Sequence, residues 1–171
     1  ILFSDHGTSI GEKKGEKFYG VFVYDYTINV FCMLKIPNAE KKVINKQCRT
    51  IDIFPTILDL AKISKESTHG SQGESLITFL ENPNEEERDV FVETGGLYGP
   101  WPSPDKHNVF CIKSNGKKLI YNETPKTWEF YDLKSDPEEL NNIYDENLEI
   151  IHLYKKKLFY YFKNNKIELN F

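Results

Sequence analysis

Four consecutive residues near the start of the chain, Ser4-Asp5-His6-Gly7, include side chains that can bind a metal ion. Asp5 offers carboxylate oxygens and His6 an imidazole nitrogen, and both are common ligands of divalent cations. Gly7 lets the backbone turn sharply behind them. Two ligands do not complete a metal site, and nothing downstream obviously supplies the others. From these residues alone, the segment is either a pair of metal ligands or a turn without a metal.

The neighbouring sequence predicts how this segment is positioned. Ile1–Phe3 is apolar and predicts the end of a buried parallel strand, which is where open α/β sheets place their ligand sites. Residues 8–20 contain several glycines and charges and are typical of a long surface loop. The apolar run Val30–Leu34 predicts a second buried strand that stops before Pro37.

Two helices are predicted in the middle of the chain. Asp52 is a good N-cap and Pro55 is tolerated in the first turn, so we expect a helix from Asp52 to Ile63. A second, shorter helix is expected over Glu74–Leu80. The charged stretch Glu85–Arg88 is typical of a linker.

A domain boundary is predicted at this linker, between a first domain of residues 1–88 and a second of residues 89–171. The second domain is predicted to be an antiparallel sheet closed by a C-terminal helix. Asn115-Gly116 favours a type I′ turn and is the strongest hairpin signal in the chain. The predicted elements are strands over Asp89–Glu93, Val109–Lys113, Lys117–Tyr121 and Trp128–Leu133, a short helix starting at Asp136, and an amphipathic helix over Asn147–Lys163 that buries Ile151, Tyr154, Leu158 and Phe162.

Composition excludes several classes of protein. Hydrophobic residues make up 39% of the 171 residues, which predicts a folded chain. The net charge of -4 does not favour nucleic acid as a partner, and no stretch approaches the ~20 apolar residues that cross a bilayer. Cys32, Cys48 and Cys111 form no C-x-x-C pair. We expect Cys32 and Cys111 to be buried free thiols, which favours a reducing, cytoplasmic compartment.

Several blocks of sequence, in their order and spacing, resemble the sulfatase family of the alkaline phosphatase superfamily. The blocks are Ser4–Gly7 with Gly11-Glu12, Tyr24–Val30, Thr50–Leu60, Gly73–Leu76, and Glu129–Glu139 with Asn141. The resemblance implies an α/β fold. Residues 1–88 would be the C-terminal part of an alkaline-phosphatase-like α/β/α core, and residues 89–171 a small antiparallel sheet subdomain packed by a C-terminal helix.

The resemblance also implies a metal. In sulfatases a single divalent cation, usually calcium, is bound by two acidic residues near the N-terminus and by an Asp-Asn or Asp-His pair, which Asp5 and His6 match. In relatives that hydrolyse phosphonates or phosphodiesters, the Asp-His pair binds manganese or zinc, which imidazole suits better than calcium. The cation would hold the sulfate oxygens of a small-molecule or glycan sulfate ester.

The family nucleophile is missing from this chain. It is a Cys or Ser in a C/S-x-P/A-x-R motif, converted to formylglycine, and Cys48-Arg49-Thr50-Ile51-Asp52 lacks the final Arg. The chain also starts inside a motif without an initiator Met. We therefore expect a fragment of a longer hydrolase whose formylglycine lies in the absent N-terminal half, and no sulfatase activity from these residues alone.

Two departures from the family pattern affect the substrate site. Lys13 stands where the family usually has a His after Gly-Glu, and Gly20 where it has a Lys. Lys17 lies three residues before Gly20 and its flexible ammonium can reach a sulfate or phosphate, so it is a candidate substrate-binding residue. The alternative is that Lys13, Lys14 and Lys17 form a solvated loop.

A proline-rich loop, Gly95–Pro104, is a second candidate for substrate contact. Tyr98 and Trp101 offer apolar faces that could pack on a sugar or an aryl group, or could instead fill the interface of the subdomain. His107 lies just behind this loop and is a candidate polar contact to substrate.

Three functions are compatible with these motifs. The leading hypothesis is hydrolysis of a sulfate ester by the full-length protein. The alternatives are a phosphonate monoester or phosphodiester hydrolase of the same superfamily, and a degenerate member that binds anionic glycans without turnover. The nucleophile upstream of this chain would discriminate among the three.

Overall fold

The computed structural model describes residues 1–13, 22–64, 70–82, 84–95, 109–123, 125–146 and 149–167. The chain forms two compact units, one made of Ile1–Leu34 with Phe91–Phe171 and the other of Lys35–Val90. The predicted boundary after residue 88 concerns the domains of the full-length protein and stays a prediction.

A four-stranded sheet, antiparallel from its second to its fourth strand, forms the centre of the first unit. Its strands, in spatial order, are β3 (Val90–Thr94), β4 (Val109–Ser114), β5 (Lys117–Asn122) and β6 (Thr127–Asp132). β4 and β5 form the predicted hairpin, in which Asn115 has a φ of 48° and Gly116 a φ of 72°. Both central residues therefore adopt the positive φ of a type I′ turn, and the hairpin prediction is confirmed.

The sheet is buried on both faces. On one face, helix α4 (Glu149–Asn164) packs its apolar stripe against alternate strand residues. The buried stripe consists of the predicted Ile151, Tyr154, Leu158 and Phe162. On the other face, Val23 packs against a second set of strand residues, including Cys111, Ile120 and Tyr131. Residues of each strand thus alternate between two cores, as the two-residue period of a strand requires.

The segment that carries Asp5 and His6 lies between short elements of the same unit. These are β1 (Leu2–Phe3), the one-turn helix α1 (Asp25–Ile28) and β2 (Cys32–Met33). β1 pairs with β2 in antiparallel register, with Leu2 opposite Met33, whereas we expected the end of a buried parallel strand. Both strands are exposed, because no described element packs over them.

The exposed position of β2 also corrects the prediction for Cys32. Its thiol is exposed, as is that of Cys48, whereas Cys111 is buried as predicted. The expectation of a cytoplasmic compartment relied on two buried thiols and now has one, so it stays a prediction.

The second unit contains helices α2 (Ile53–Leu60) and α3 (Thr78–Glu81), with a 3-10 turn over Thr50–Asp52 before α2. α2 is shorter than predicted and Asp52 makes no side-chain cap to it. α3 covers only the end of the predicted Glu74–Leu80 helix. α2 ends early because Lys62 has a φ of 56°, in the left-handed region. α3 begins late because the backbone N–H groups of Glu74 and Leu76 are bound by the side chains of Asp52 and Thr56.

The predicted helix at Asp136 is a turn. Glu139 has a φ of 56°, in the left-handed region, so the backbone cannot continue as a right-handed helix. The Asp136 carboxylate accepts hydrogen bonds from the backbone N–H groups of Leu140 and Asn141 at 3.0 and 2.9 Å. Across the described residues, none of the helices combines the length and apolar character needed to cross a bilayer.

Candidate metal centre

The Asp5 and His6 side chains are accessible and lie close together. Asp5 is 83% exposed and His6 40% exposed. The backbone N–H of His6 donates to Asp5 Oδ1 at 2.9 Å, which leaves Asp5 Oδ2 3.8 Å from His6 Nε2. This backbone N–H is the main cause of a lowered pKa of the Asp5 carboxyl, so the carboxylate is in the charged form that binds a cation.

The donor set fits a divalent cation. His6 Nδ1 lies 2.6 Å from the Gly7 carbonyl oxygen. Since a carbonyl only accepts, Nδ1 carries the proton in this contact and Nε2 presents its lone pair. Metal-binding histidines usually make such an outer hydrogen bond. Two ligands held at roughly 2.0–2.5 Å from one cation lie about 3–4 Å apart, which matches the distance between Asp5 Oδ2 and His6 Nε2.

The pair is not a complete metal site. Within the part of the chain that the structure describes, no group of three or more His, Cys, Asp or Glu residues could hold an ion.

Gly7 holds this segment against α1. Its backbone N–H donates to the carbonyl of Thr27 at 2.7 Å. A Cβ atom at position 7 would lie 2.1 Å from the carbonyl oxygen of Tyr26, far inside van der Waals contact. On the other side, the N–H of Ser4 donates to the Phe31 carbonyl at 3.3 Å. The glycine of Asp-His-Gly is therefore required for close approach to α1.

Gly7→Ala is expected to destabilise the protein by about 1–3 kcal/mol, because the added methyl group would displace the α1 backbone. The variant should also bind less divalent metal. Thermal unfolding and metal content of the purified full-length protein test this expectation. Thr8→Ala, at the next and exposed position, is the control. Equal stability of the two variants would contradict the close-approach role of Gly7.

A buried ionic cluster lies between α1 and the sheet. We call Lys118, Asp25 and Glu139 the Lys118 cluster. Lys118, on β5, is fully buried and contacts Asp25 Oδ1 at 2.5 Å. It also contacts Glu139 Oε1 at 2.7 Å, as an ion pair without hydrogen-bond geometry. The Lys118 Nζ donates to the Val23 carbonyl at 3.1 Å, and the Asp25 N–H donates to Glu139 Oε2 at 2.6 Å.

The pKa shifts of Asp25 and Lys118 favour their charged forms, whereas that of Glu139 does not. Burial would raise the pKa of Asp25, but Lys118 and Lys113 outweigh it and the pKa is lowered. Burial would lower the pKa of Lys118, but the acidic groups around it, Cys111, Glu139 and Asp25, raise it. Burial raises the pKa of Glu139 despite the neighbouring Lys118, so this is the carboxylate with the less favourable environment.

Lys13 is part of the same support and is not a solvated loop residue, which corrects one of our alternatives. Its Nζ lies 3.7 Å from the ring centroid of Tyr24 and 4.8 Å from that of Tyr131. It also donates to the Glu139 carbonyl. Lys14, Lys17, Tyr98, Trp101 and His107 lie outside the described residues, so the predicted substrate contacts of Lys17 and His107 stay predictions.

In the second unit, two of the family blocks bind each other. The Asp52 carboxylate is fully buried and accepts from the Glu74 N–H at 3.0 Å. The Thr56 hydroxyl accepts from the Leu76 N–H at 2.8 Å and donates to the Asp52 carbonyl at 2.6 Å. A Cβ at Gly73 would lie 2.0 Å from the Ile51 carbonyl oxygen. The blocks Thr50–Leu60 and Gly73–Leu76 thus form one hydrogen-bonded scaffold.

Arg88 completes this scaffold, and our sequence analysis missed it. Its Nη1 lies 3.0 Å from Asp52 Oδ2, and its guanidinium also donates to the carbonyls of Glu74 and Ser75. The Arg88 side chain is only 6% exposed, so the interpretation of Glu85–Arg88 as a charged linker is wrong at its last residue. The signal available in the sequence was one Arg at the end of three consecutive glutamates, Glu85–Glu87.

Asn142 stabilises the turn after β6 by binding three backbone groups. Its Oδ1 accepts from the N–H groups of Phe130 and Tyr144, each at 3.0 Å, and its Nδ2 donates to the Trp128 carbonyl. Asn141 is exposed. The pattern D-P-x-E-x-x-N counted from Asp136 ends at Asn142, so Asn142 and not Asn141 matches the family's asparagine.

A small antiparallel sheet closed by a helix is the fold that the resemblance to the C-terminal part of sulfatases predicts. The family described as "N-sulphoglucosamine sulphohydrolase, C-terminal" matches residues 15–164. Since this match covers most of the chain, the chain belongs to that family.

Individual relatives are also sulfatases. The chain is 32% identical over 151 residues to an N-acetylglucosamine-6-O-sulfatase of Bacteroides thetaiotaomicron, covering 84% of this chain and 26% of the relative. It is 27% identical over 167 residues to arylsulfatase K of Mus musculus, covering 92% of this chain and 29% of the relative. The chain thus spans less than a third of the length of these curated relatives.

A solved structure shares the fold. It is a protein in complex with its substrate D-glucosamine-2-N,6-O-disulfate, with a TM-score of 0.73 and 27% identity. The match covers 96% of this chain and 34% of that protein.

Proposed function

We propose that this chain is the C-terminal part of a metal-dependent sulfuric ester hydrolase. The observation that carries the proposal is the Asp5-His6 pair, in which Asp5 Oδ2 and His6 Nε2 lie 3.8 Å apart, in a chain that belongs to a sulfatase family. The bound cation would be divalent, with calcium first and manganese or zinc as alternatives. When bound, it would supply positive charge that holds the sulfate oxygens.

The exposed apolar side chains support the proposal of a longer protein. In the first unit they lie on β1 and β2, at Leu2, Phe3 and Met33, and in the second on α2, at Phe54 and Ile57. Each of these five side chains is between 43% and 57% exposed. Contiguous exposed apolar groups on regular elements are typical of surfaces that another part of a protein covers.

The residues of this chain have defined roles in the proposed site. Asp5 and His6 would each give one donor atom to the cation. The Gly7 carbonyl fixes the His6 tautomer. The backbone of Tyr26 and Thr27 contacts Gly7 and so fixes the position of the Asp5–Gly7 backbone. Lys17 and His107 would contact the sulfate ester. The nucleophile, expected to be formylglycine, would come from the N-terminal part of the protein.

We further propose a sulfated amino sugar as the substrate class. An N-acetylglucosamine-6-O-sulfatase and a protein bound to a glucosamine disulfate are both among the similar proteins. The full-length protein is expected to release sulfate from N-acetylglucosamine-6-sulfate, with heat-inactivated protein as the control. Bis(p-nitrophenyl) phosphate should be a far poorer substrate.

The comparison of these two substrates separates the hypotheses. Hydrolysis of the phosphodiester without sulfate release would overturn the proposal in favour of a phosphodiester or phosphonate hydrolase. If neither compound is hydrolysed but sulfated glycan is bound, the protein is a non-catalytic member of the family.

A further inference from the structure

A row of charged residues crosses the sheet beneath α1. Lys113 on β4 and Lys118 on β5 are directly paired in the ladder, and Lys118 is paired with Tyr131 on β6. Two like charges opposite each other destabilise a sheet unless an anion lies between them. Asp25 supplies that anion, since Oδ2 contacts Lys113 at 2.7 Å while Oδ1 contacts Lys118.

The contact extends from the sheet to the candidate metal ligands through α1. Asp25 is the first residue of α1, and its backbone N–H is held by Glu139. Two residues later, buried Thr27 accepts the Gly7 N–H with its carbonyl, while its hydroxyl donates to the carbonyls of Phe22 and Tyr24. α1 is a single tight turn, so a shift of Asp25 moves the Tyr26 and Thr27 carbonyls that support Gly7.

We propose that Lys118, with Asp25 and Glu139, is a positioning group for the Asp5-His6 metal pair, although it lies more than 100 residues away in the sequence. The inference rests on the proposed function for its metal part. Its structural part, that the Lys118 cluster sets the position of the Asp5–Gly7 backbone, stands on the contacts alone.

The expected size of the effect follows from outer-shell interactions in metal sites. Loss of a group that orients a ligand typically weakens metal binding by about 10–100-fold. A loss that acts on ligand position differs from a loss of folded protein, because excess metal restores turnover in the first case and not in the second.

The test replaces the buried pair as a unit in the full-length protein, with Lys118→Met and Glu139→Gln together. This double change removes one positive and one negative charge and leaves Asp25 paired with Lys113. In metal-free protein, backbone N–H exchange of residues 5–8 should become faster. The calcium, manganese or zinc concentration for half-maximal turnover should rise by about 10-fold, and saturating metal should restore kcat.

The neighbouring ion pair gives a matched control. Lys117→Met with Asp132→Asn removes an ion pair between β5, which also carries Lys118, and β6. These side chains are about one-third exposed and make no contact to α1 in the described residues. This control should alter neither the exchange of residues 5–8 nor the metal dependence. If the first double variant does not fold, Lys113→Met gives the same readouts through the other oxygen of Asp25.

Each outcome decides one part of the inference. Unchanged exchange at residues 5–8 in a folded Lys118 variant would overturn the positioning role. Faster exchange in a protein whose wild type needs no metal would keep the structural coupling and overturn the metal site. A loss of turnover that excess metal does not restore would show that Lys118 stabilises the fold in general and does not position the metal ligands.

Discussion

Asp5→Ala in the full-length protein is expected to lose the bound divalent metal and to reduce sulfate-ester turnover by roughly 100-fold or more. A cation that loses one carboxylate ligand binds weakly and no longer positions the ester. The Asp5 side chain is largely exposed and makes few structural contacts in the described part of the chain, so stability should change little.

Metal analysis by mass spectrometry on wild type, Asp5→Ala and His6→Ala tests this result. His6→Ala should have the larger effect if the metal is zinc or manganese, since imidazole is a good ligand for these ions and a poor one for calcium. Asp145→Ala removes another exposed carboxylate and is the control. An unchanged metal-to-protein ratio in both ligand variants would leave Asp-His-Gly as a turn without a metal role.

Asp52→Ala is expected to destabilise the protein by about 3–5 kcal/mol, because it leaves buried cationic groups without their partner. The guanidinium of Arg88 and that of Arg49 both contact this fully buried carboxylate, at 3.0 and 2.8 Å. The backbone N–H groups of Glu74 and Arg49 would lose their acceptor as well. The same change on the protein surface would cost far less.

Denaturant unfolding of wild type and Asp52→Ala measures this difference, with Glu87→Ala, an exposed acid beside Arg88, as the control. The pH dependence gives a second measurement. Burial would raise the pKa of Asp52, but Arg49, the Glu74 N–H and Arg88 lower it below its ordinary value of 3.8. The stability it contributes is therefore present above pH 3.8 and is lost as pH falls towards the lower folded pKa. Equal midpoints for Asp52→Ala and Glu87→Ala would contradict the role of Asp52.

Local pattern was sufficient to predict the sheet and its helix. Asn115-Gly116 determines a hairpin by backbone conformation, and the stripe from Ile151 to Phe162 determines the buried face of α4 by helical spacing. The turn at Glu139 was not predictable in this way. Its left-handed backbone is stabilised by contacts with Lys118 and Asp25, which lie far away in the sequence.

The residues of the candidate site also differ in whether the sequence alone identifies them. Asp5 and His6 are adjacent and chemically distinctive, so sequence alone identifies them. Arg88 and Lys118 differ from the exposed lysines and arginines because each pairs with an acidic residue far away in the sequence. The partner is Asp52 for Arg88 and Asp25 for Lys118. From residue type alone, such side chains are predicted to be exposed, because most lysines and arginines in proteins are exposed.

The hydrogen-bonded scaffold of the second unit has a consequence for the evolution of the family. The Asp52 carboxylate and the Thr56 hydroxyl bind the backbone N–H groups of Glu74 and Leu76, and Gly73 lies against the Ile51 carbonyl, so the contacts of these three residues described above serve the scaffold itself. Selection on these positions acts through folding, so they would persist in a lineage that exchanged one sulfated sugar for another, or that lost turnover altogether. New specificities can therefore arise on this framework by changes in its loops while the framework residues stay constant.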